Sequence, residues 1–130
     1  MDDDDRIPRH PDLGTVTLQQ ILEALVDPVR RSIVTQLCDA QADVRCGGFD
    51  LPVSKSTATH HFRVLREAGL IRQHYVGTAR MNTLRRAELD EAFPGLIDAL
   101  VTADRKPMAG VETDSQPVAG AAAGRKAVAT

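Results

Sequence analysis

Aromatic residues are nearly missing from this chain: Phe49, Phe62, Phe93 and Tyr75 are the full set, and there is no Trp. RNA-binding modules stack bases on aromatic side chains, so RNA is a poor fit as a ligand. A core made of Leu, Ile and Val over roughly 90 ordered residues is thin, which favours burial against a second copy. Long apolar runs are missing too, and none approaches the ~20 residues of a membrane span. The N-terminus carries four Asp at positions 2–5, where a secretory signal would carry basic residues and then an apolar stretch. A cytoplasmic location is therefore expected, with the two cysteines, Cys38 and Cys46, as thiols by default. There is no Gly-rich phosphate loop, no nucleophile with a plausible base nearby and no zinc signature. His60 and His61 are adjacent on one helix and point in different directions, so they form no dyad. An enzyme is not expected.

What is there is charge, unevenly placed. The chain as a whole has a net charge of −2. Between Ser54 and Arg86 it carries Lys55, Arg63, Arg66, Arg72, Arg80, Arg85 and Arg86 against the single acid Glu67, a local balance of +6. Clustered positive charge inside a folded unit is the electrostatic footprint of a phosphate-binding surface.

The chain at 130 residues suits one ordinary domain. Residues 1–14, with the Asp run, Pro8, Pro11 and Gly14, read as a flexible N-terminal arm. Residues 105–130, rich in Ala, Gly, Val, Pro and Ser, read as a disordered tail with little to bury. The ordered domain is expected over 15–104. Thr17 with Gln20 fits a capping box, and Leu18, Ile21, Leu22 and Leu25 recur at helical spacing. Asp27-Pro28 is an N-cap followed by proline at the first helical position, and Val29, Ile33, Val34 and Leu37 form the next apolar stripe. Ala40 to Phe49 reads as irregular, with a short helical turn expected around Phe49–Leu51. Ser54 caps a helix running to about Ala68, with Gly69 as its left-handed terminator. Leu70 to Leu84 reads as a hairpin around Gly77-Thr78, where Gly in first place suits a type II′ turn. A last helical region begins near Ala87, is interrupted by Pro94 and runs to about Ala103. The expected fold is mainly α with a small β-hairpin: helix, helix, short helix, recognition helix, hairpin, helix, the order of a winged helix-turn-helix.

On the helix from Ser54, Ala58, His61, Phe62 and Leu65 share one face and are expected to pack inward, His61 as a satisfied core histidine. Ser56, Thr59, His60 and Arg63 share another face at i, i+3, i+4 and i+7. Small polar groups near the start of a basic helix approach base edges, while Arg63 and Arg66 reach phosphates. The expected DNA-contacting set is Lys55, Ser56, Thr57, Thr59, His60, Arg63 and Arg66, with Arg80 added from the wing. A winged helix serving protein–protein contact inside a regulatory complex is the alternative. It would expose an apolar groove rather than Ser, Thr, His and Arg.

The stretch from Ser54 to Ile71, SKSTATHHFRVLREAGLI, resembles the recognition-helix signature of the ArsR family of winged-helix repressors. Ala24 to Val34, ALVDPVRRSIV, looks like that family's second motif, and with the hairpin the similarity covers about residues 16 to 103. The resemblance implies a repressor binding double-stranded DNA at an inverted-repeat operator as a homodimer joined through its first and last helices. Leu18, Leu22, Leu25, Leu96 and Leu100 are then the expected interface residues. It also implies an inducer that weakens DNA binding. Many members sense metals through a Cys-x-Cys pair before the recognition unit, but here Val44 and Gly48 flank Cys46 at that spacing. Others use His and acids on the last helix, and here that helix has Glu88, Asp90, Glu91 and Asp98 without a His. No metal site and no cofactor are expected. A partner protein or an unidentified effector, a metal at an unfamiliar site, and oxidation of Cys38 with Cys46 all stay open as controls.

Overall fold

The computed structural model describes residues 9–105. The expected tail from 106 onward, and residues 1–8 of the expected arm, lie outside the described residues. A 3-10 turn at Leu13–Thr15 leads into α1 (Leu18–Leu25) and α2 (Pro28–Ala40). A two-residue strand, β1 (Val44–Arg45), and a 3-10 turn at Cys46–Gly48 precede α3 (Lys55–Glu67). The strands β2 (Ile71–Val76) and β3 (Ala79–Leu84) follow, then α4 (Arg86–Ala92) and α5 (Leu96–Asp104).

Local chemistry sets these boundaries. Thr17 and Gln20 close a reciprocal capping box at the start of α1. Asp27 accepts from the backbone N–H groups of Val29 and Arg30, so Pro28 can open α2 with no donor to satisfy. Ser54 accepts from Thr57 N–H at the start of α3. At the other end of α3, Gly69 has φ +87°, and Leu70 N–H reaches back to Leu65 O while Gly69 N–H reaches Arg66 O. That pair of bonds is a Schellman ending. The positive φ favours glycine there, and a Cβ on Gly69 would lie 2.6 Å from Leu13 Cδ2, so the buried Leu13 side chain would also have to shift.

The hairpin follows its expected turn. Gly77 has φ +63°, and Gln41 is the only non-glycine residue with positive φ among the described residues, so Thr78 does not share it. This is the sign pattern of type II′ rather than I′. Val76 pairs with Ala79 across the two-residue loop, and the register runs back to Ile71 opposite Leu84. The sheet has three strands in the order β1-β3-β2, because Val44 pairs with Asn82 and Arg45 with Met81.

Two expectations for the connecting segments are corrected here. The short turn is not at Phe49–Leu51 but at Cys46–Gly48, directly after β1. Residues 49–53 are instead held by tertiary contacts. The Gln36 amide donates to Asp50 O and accepts from Asp50 N–H, and the Phe49 ring meets Phe62 at 5.2 Å between centroids. Residues 9–14 are likewise tied to the domain rather than forming a free arm. Leu13 is buried, His10 Nε2 accepts from Gln73 N–H at 2.9 Å, and Arg85 donates to Pro11 O.

The core gathers Ile21 and Leu25 of α1, Ile33, Val34 and Leu37 of α2, Phe62 and Leu65 of α3, and Leu89, Ile97 and Val101 of the last two helices. With the interior assembled on one side of α3, its opposite side is left outside.

Candidate nucleic-acid interface

The helix α3 divides as its periodicity predicts. Ala58, His61, Phe62 and Leu65 are buried, whereas Lys55, Ser56, Thr57, Thr59, His60 and Arg63 are exposed. Glu67, at the last position, is the only acid of the helix, so the exposed face near its start is cationic and polar. Thr59 Oγ1 donates to Lys55 O at 3.0 Å, and Arg63 Nη2 lies 2.9 Å from His60 Nδ1.

Most of the local positive charge is engaged inside the protein. Arg66, expected at phosphates, is 4% exposed and donates to Gln73 Oε1 at 2.7 Å. Its position on the helix explains the correction: it lies one turn after Phe62 and one residue after Leu65, on the side that meets the sheet. Arg85 and Arg72 both bond Glu88, and Arg86 bonds Asp90 and Asp98. The hydrogen bonds from Arg85 pull Glu88 down to about 2; burial opposes them and Arg72 reinforces them. Arg80 does not extend from the tip of the hairpin but lies back on it, 5.3 Å over the Tyr75 ring and bonded to the Tyr75 hydroxyl at 3.0 Å. Tyr75 and Arg80 are directly opposite in the register, so the hairpin supplies both members of this pair. Lys55 and Arg63 stay exposed on α3.

Two residues that bear on the site were not singled out by sequence reasoning. Gln73 Nε2 donates to Asn82 Oδ1 at 2.8 Å, and Asn82 Nδ2 donates to Val44 O at 3.1 Å and lies 3.2 Å from Cys46 Sγ. With Arg66 they make a buried polar chain from α3 through β2 and β3 to β1. The available signal was parity: Ile71 and Gln73 alternate on the inward side of β2, which puts a polar side chain at a core position.

The other expected residues separate into two groups. On α1, Leu18 and Leu22 are 48% and 45% exposed, joined by Val26 at 71%. Leu96 and Leu100 on α5 are half-buried against the core. Leu25 is 3% exposed and packs in the core of the chain itself, a correction to its expected place at an interface. The reason is that α1 bears two apolar stripes, Ile21-Ala24-Leu25 inward and Leu18-Leu22-Val26 outward, and Leu25 belongs to the first. Both cysteines are free; burial pushes the Cys38 thiol up, partly opposed by Arg86. Among the described residues no group of three or more His, Cys, Asp or Glu converges as metal ligands would, and no helix is long and apolar enough to cross a membrane.

A helical core that exposes a cationic polar helix beside a two-stranded wing defines a winged-helix DNA-binding protein. Residues 27–73 match the family described as "Bacterial regulatory protein, arsR family". An uncharacterized HTH-type transcriptional regulator, YceK of Bacillus subtilis (strain 168), is 32% identical over 83 residues, which span 62% of this chain and 83% of the relative. Among solved structures, an ArsR-like transcriptional regulator from Rhodococcus sp. RHA1 superposes with a TM-score of 0.52 at 29% identity, covering 68% of this chain and 83% of that one. A possible transcriptional regulator for arsenical resistance gives 0.51 at 28% identity, covering 70% and 100%. The chain belongs to the arsR family of bacterial regulatory proteins, transcriptional regulators rather than enzymes.

Proposed function

We propose that this regulator is a cytoplasmic homodimeric repressor that inserts α3 into the major groove at each half of an inverted-repeat operator. The observation that carries the reading is the exposed face of α3, where Lys55, Ser56, Thr57, Thr59, His60 and Arg63 stand together without an acid. Lys55 and Arg63 neutralise phosphates, and Thr59 and His60 meet base edges. Arg80, held on Tyr75, is the wing's cation. The dimer forms through the outward stripe of α1 and the half-buried Leu96 and Leu100 of α5. A partner protein or an unidentified effector lowers the affinity for DNA. A protein-docking role for α3 is the weaker reading, because no large apolar residue of α3 is exposed.

Binding to duplexes from candidate promoter regions, titrated between about 50 and 200 mM salt, tests the assignment. Affinity is expected to fall steeply with salt as counterions are released. Arg63→Leu is expected to weaken binding to every sequence and to lower the salt slope by about 1, while changes at Thr59 or His60 alter sequence preference. Binding that ignores salt, or a Thr59→Ala/His60→Ala double variant with unaltered preference, overturns the proposal.

A further inference from the structure

The segment before α1 crosses the domain in one direction. Leu13 packs on Gly69, and Pro11 O accepts from Arg85, whose backbone N–H bonds Leu70 O. His10 Nε2 then accepts from Gln73 N–H on β2, the edge strand of the sheet. Residue numbers fall from 13 to 10 as those of the facing chain rise from 69 to 73, so the segment runs antiparallel to β2 and heads for the Gly77-Thr78 turn. Tyr75, which pairs with Arg80, is two residues further along β2, a rise of about 7 Å. Asp2–Asp5 precede His10 by five to eight residues, a reach of about 16–26 Å in extended chain. Gln73 also accepts from Arg66, and Arg63 lies one turn before Arg66 on α3. Lys55, at the start of that helix, is about 17 Å from Arg66 along its axis. The acidic run therefore has the length and the heading to meet Arg80, Arg63 and Lys55.

That surface is short of acid. Glu67 is the only acid of α3, and its carboxylate lies 3.8 Å from Arg66. Burial pushes the Arg66 pKa below its ordinary value; Glu67 opposes this, and the charges of Arg80 and Arg63 add to it. Three guanidiniums thus stand close together, and the buried Nε atoms of Arg66 and Arg80 find no acceptor among the described residues. Arg72, Arg85 and Arg86, in contrast, each hold a carboxylate of their own. We propose that the Asp2–Asp5 run docks along β2 onto Arg80 and the cationic face of α3, and competes there with the phosphates of DNA. The inference rests on the DNA-binding role proposed above: the same cations serve the run in the free protein and the duplex in the complex. Each carboxylate–guanidinium contact at a surface is weak, but a segment tethered this close acts at an effective concentration on the order of millimolar. Arg6 and Arg9, between the strap and the run, attract phosphate instead, so the sign of the segment's effect is itself a test.

The full chain and its quadruple variant Asp2→Asn/Asp3→Asn/Asp4→Asn/Asp5→Asn are compared on one duplex at about 50 and 200 mM salt. The variant is expected to bind about 10-fold more tightly at the lower salt, the gain that follows when the wild-type face is open one-tenth of the time. At the higher salt the gain is expected to shrink to about 2-fold, because screening weakens the run's contacts. A second measurement locates the run. In the free wild type a carbodiimide is expected to join an Asp of the run to the exposed Lys55 Nζ as an amide, the reagent taking up the water lost as a urea. Excess duplex is expected to abolish that crosslink, which mass spectrometry of a digest reads. Equal affinities, or weaker binding by the variant, overturn the inference while leaving DNA binding intact. Tighter binding by the variant without an Asp–Lys55 crosslink in the wild type also overturns it, since net charge alone then accounts for the gain. Binding of no duplex by either protein overturns the DNA-binding proposal itself.

Discussion

Two neighbouring histidines on α3 meet opposite environments. His60 is exposed, whereas His61 is buried and its Nδ1 lies 3.0 Å from Arg30 Nη1. Arg30 also donates through Nε to Ala24 O, so this one guanidinium ties the end of α1 and the start of α2 to the recognition helix. An arginine has donors and no acceptor, so His61 Nδ1 accepts from Arg30, and a protonated ring has no lone pair there to offer. Burial lowers the pKa of His61 below 6.5; Arg30 and His60 add to the lowering and Asp27 opposes it. The unfolded chain therefore binds more protons than the folded one below about pH 6.5, and stability falls as the pH drops through that range. Urea midpoints at pH 7.5 and 5.5 are expected to differ more in the wild type than in His61→Gln, which keeps an acceptor for Arg30 and does not titrate. Equal pH dependence in the two proteins contradicts this account of His61.

At the scale of elements, the wing is joined to the recognition helix by polar groups rather than by apolar packing alone. Arg66, Gln73 and Asn82 form a chain of buried hydrogen bonds that ends on Val44 O of β1. Gln73 and Asn82 face one another at a position where the backbones do not bond each other. That follows from counting back from the closing pair Val76–Ala79, and such pairs bring side chains closest. The outward N–H of Gln73 is capped by His10, so the segment before α1 covers part of the exposed edge of β2. Arg66→Leu leaves Gln73 Oε1 buried without its donor and is expected to cost about 1–3 kcal/mol of stability. Denaturant unfolding measures that loss. The salt slope for DNA is expected to stay as in the wild type, in contrast to Arg63→Leu, because Arg66 is too deeply buried to neutralise a phosphate.

At the scale of the whole molecule, the unexplained surface is apolar. Leu18 and Leu22 on α1 and Val26 just after it are exposed in a chain that has already formed its core from the opposite stripe. Exposed leucines repeated on one helix face are the usual mark of an association surface. In the proposed two-fold dimer the same stripe would meet its copy, and two recognition helices would then engage two half-sites together. Leu22→Glu is expected to keep the helical content, to give monomers by light scattering at micromolar concentration, and to lose about 100-fold or more in operator affinity through lost bivalency. A wild-type monomer under those conditions contradicts the dimer.

The elements were legible in the sequence because their signals are local. Thr17-Gln20, Asp27-Pro28, Ser54, Gly69 and Gly77 act on backbone groups within a few residues, so spacing alone determines α1, α2, α3 and the hairpin. The outward polar face of α3 was legible for the same reason, since helical periodicity places Ser56, Thr59, His60 and Arg63 together. What charge and apolar counts could not determine is which partner each side chain finds. Arg66 and Arg63 are the same residue three positions apart on one helix, and only the sheet lying against one side buries the first. Leu25 and Leu22 are likewise alike in sequence and separated by the arrival of the other helices on one side of α1. The strand at Val44–Arg45 exists because β3 presents a partner from about 38 residues away, a pairing that carries no local signal. Short-range backbone chemistry is written into consecutive residues, whereas burial and long-range pairing depend on surfaces that exist only after the chain has folded.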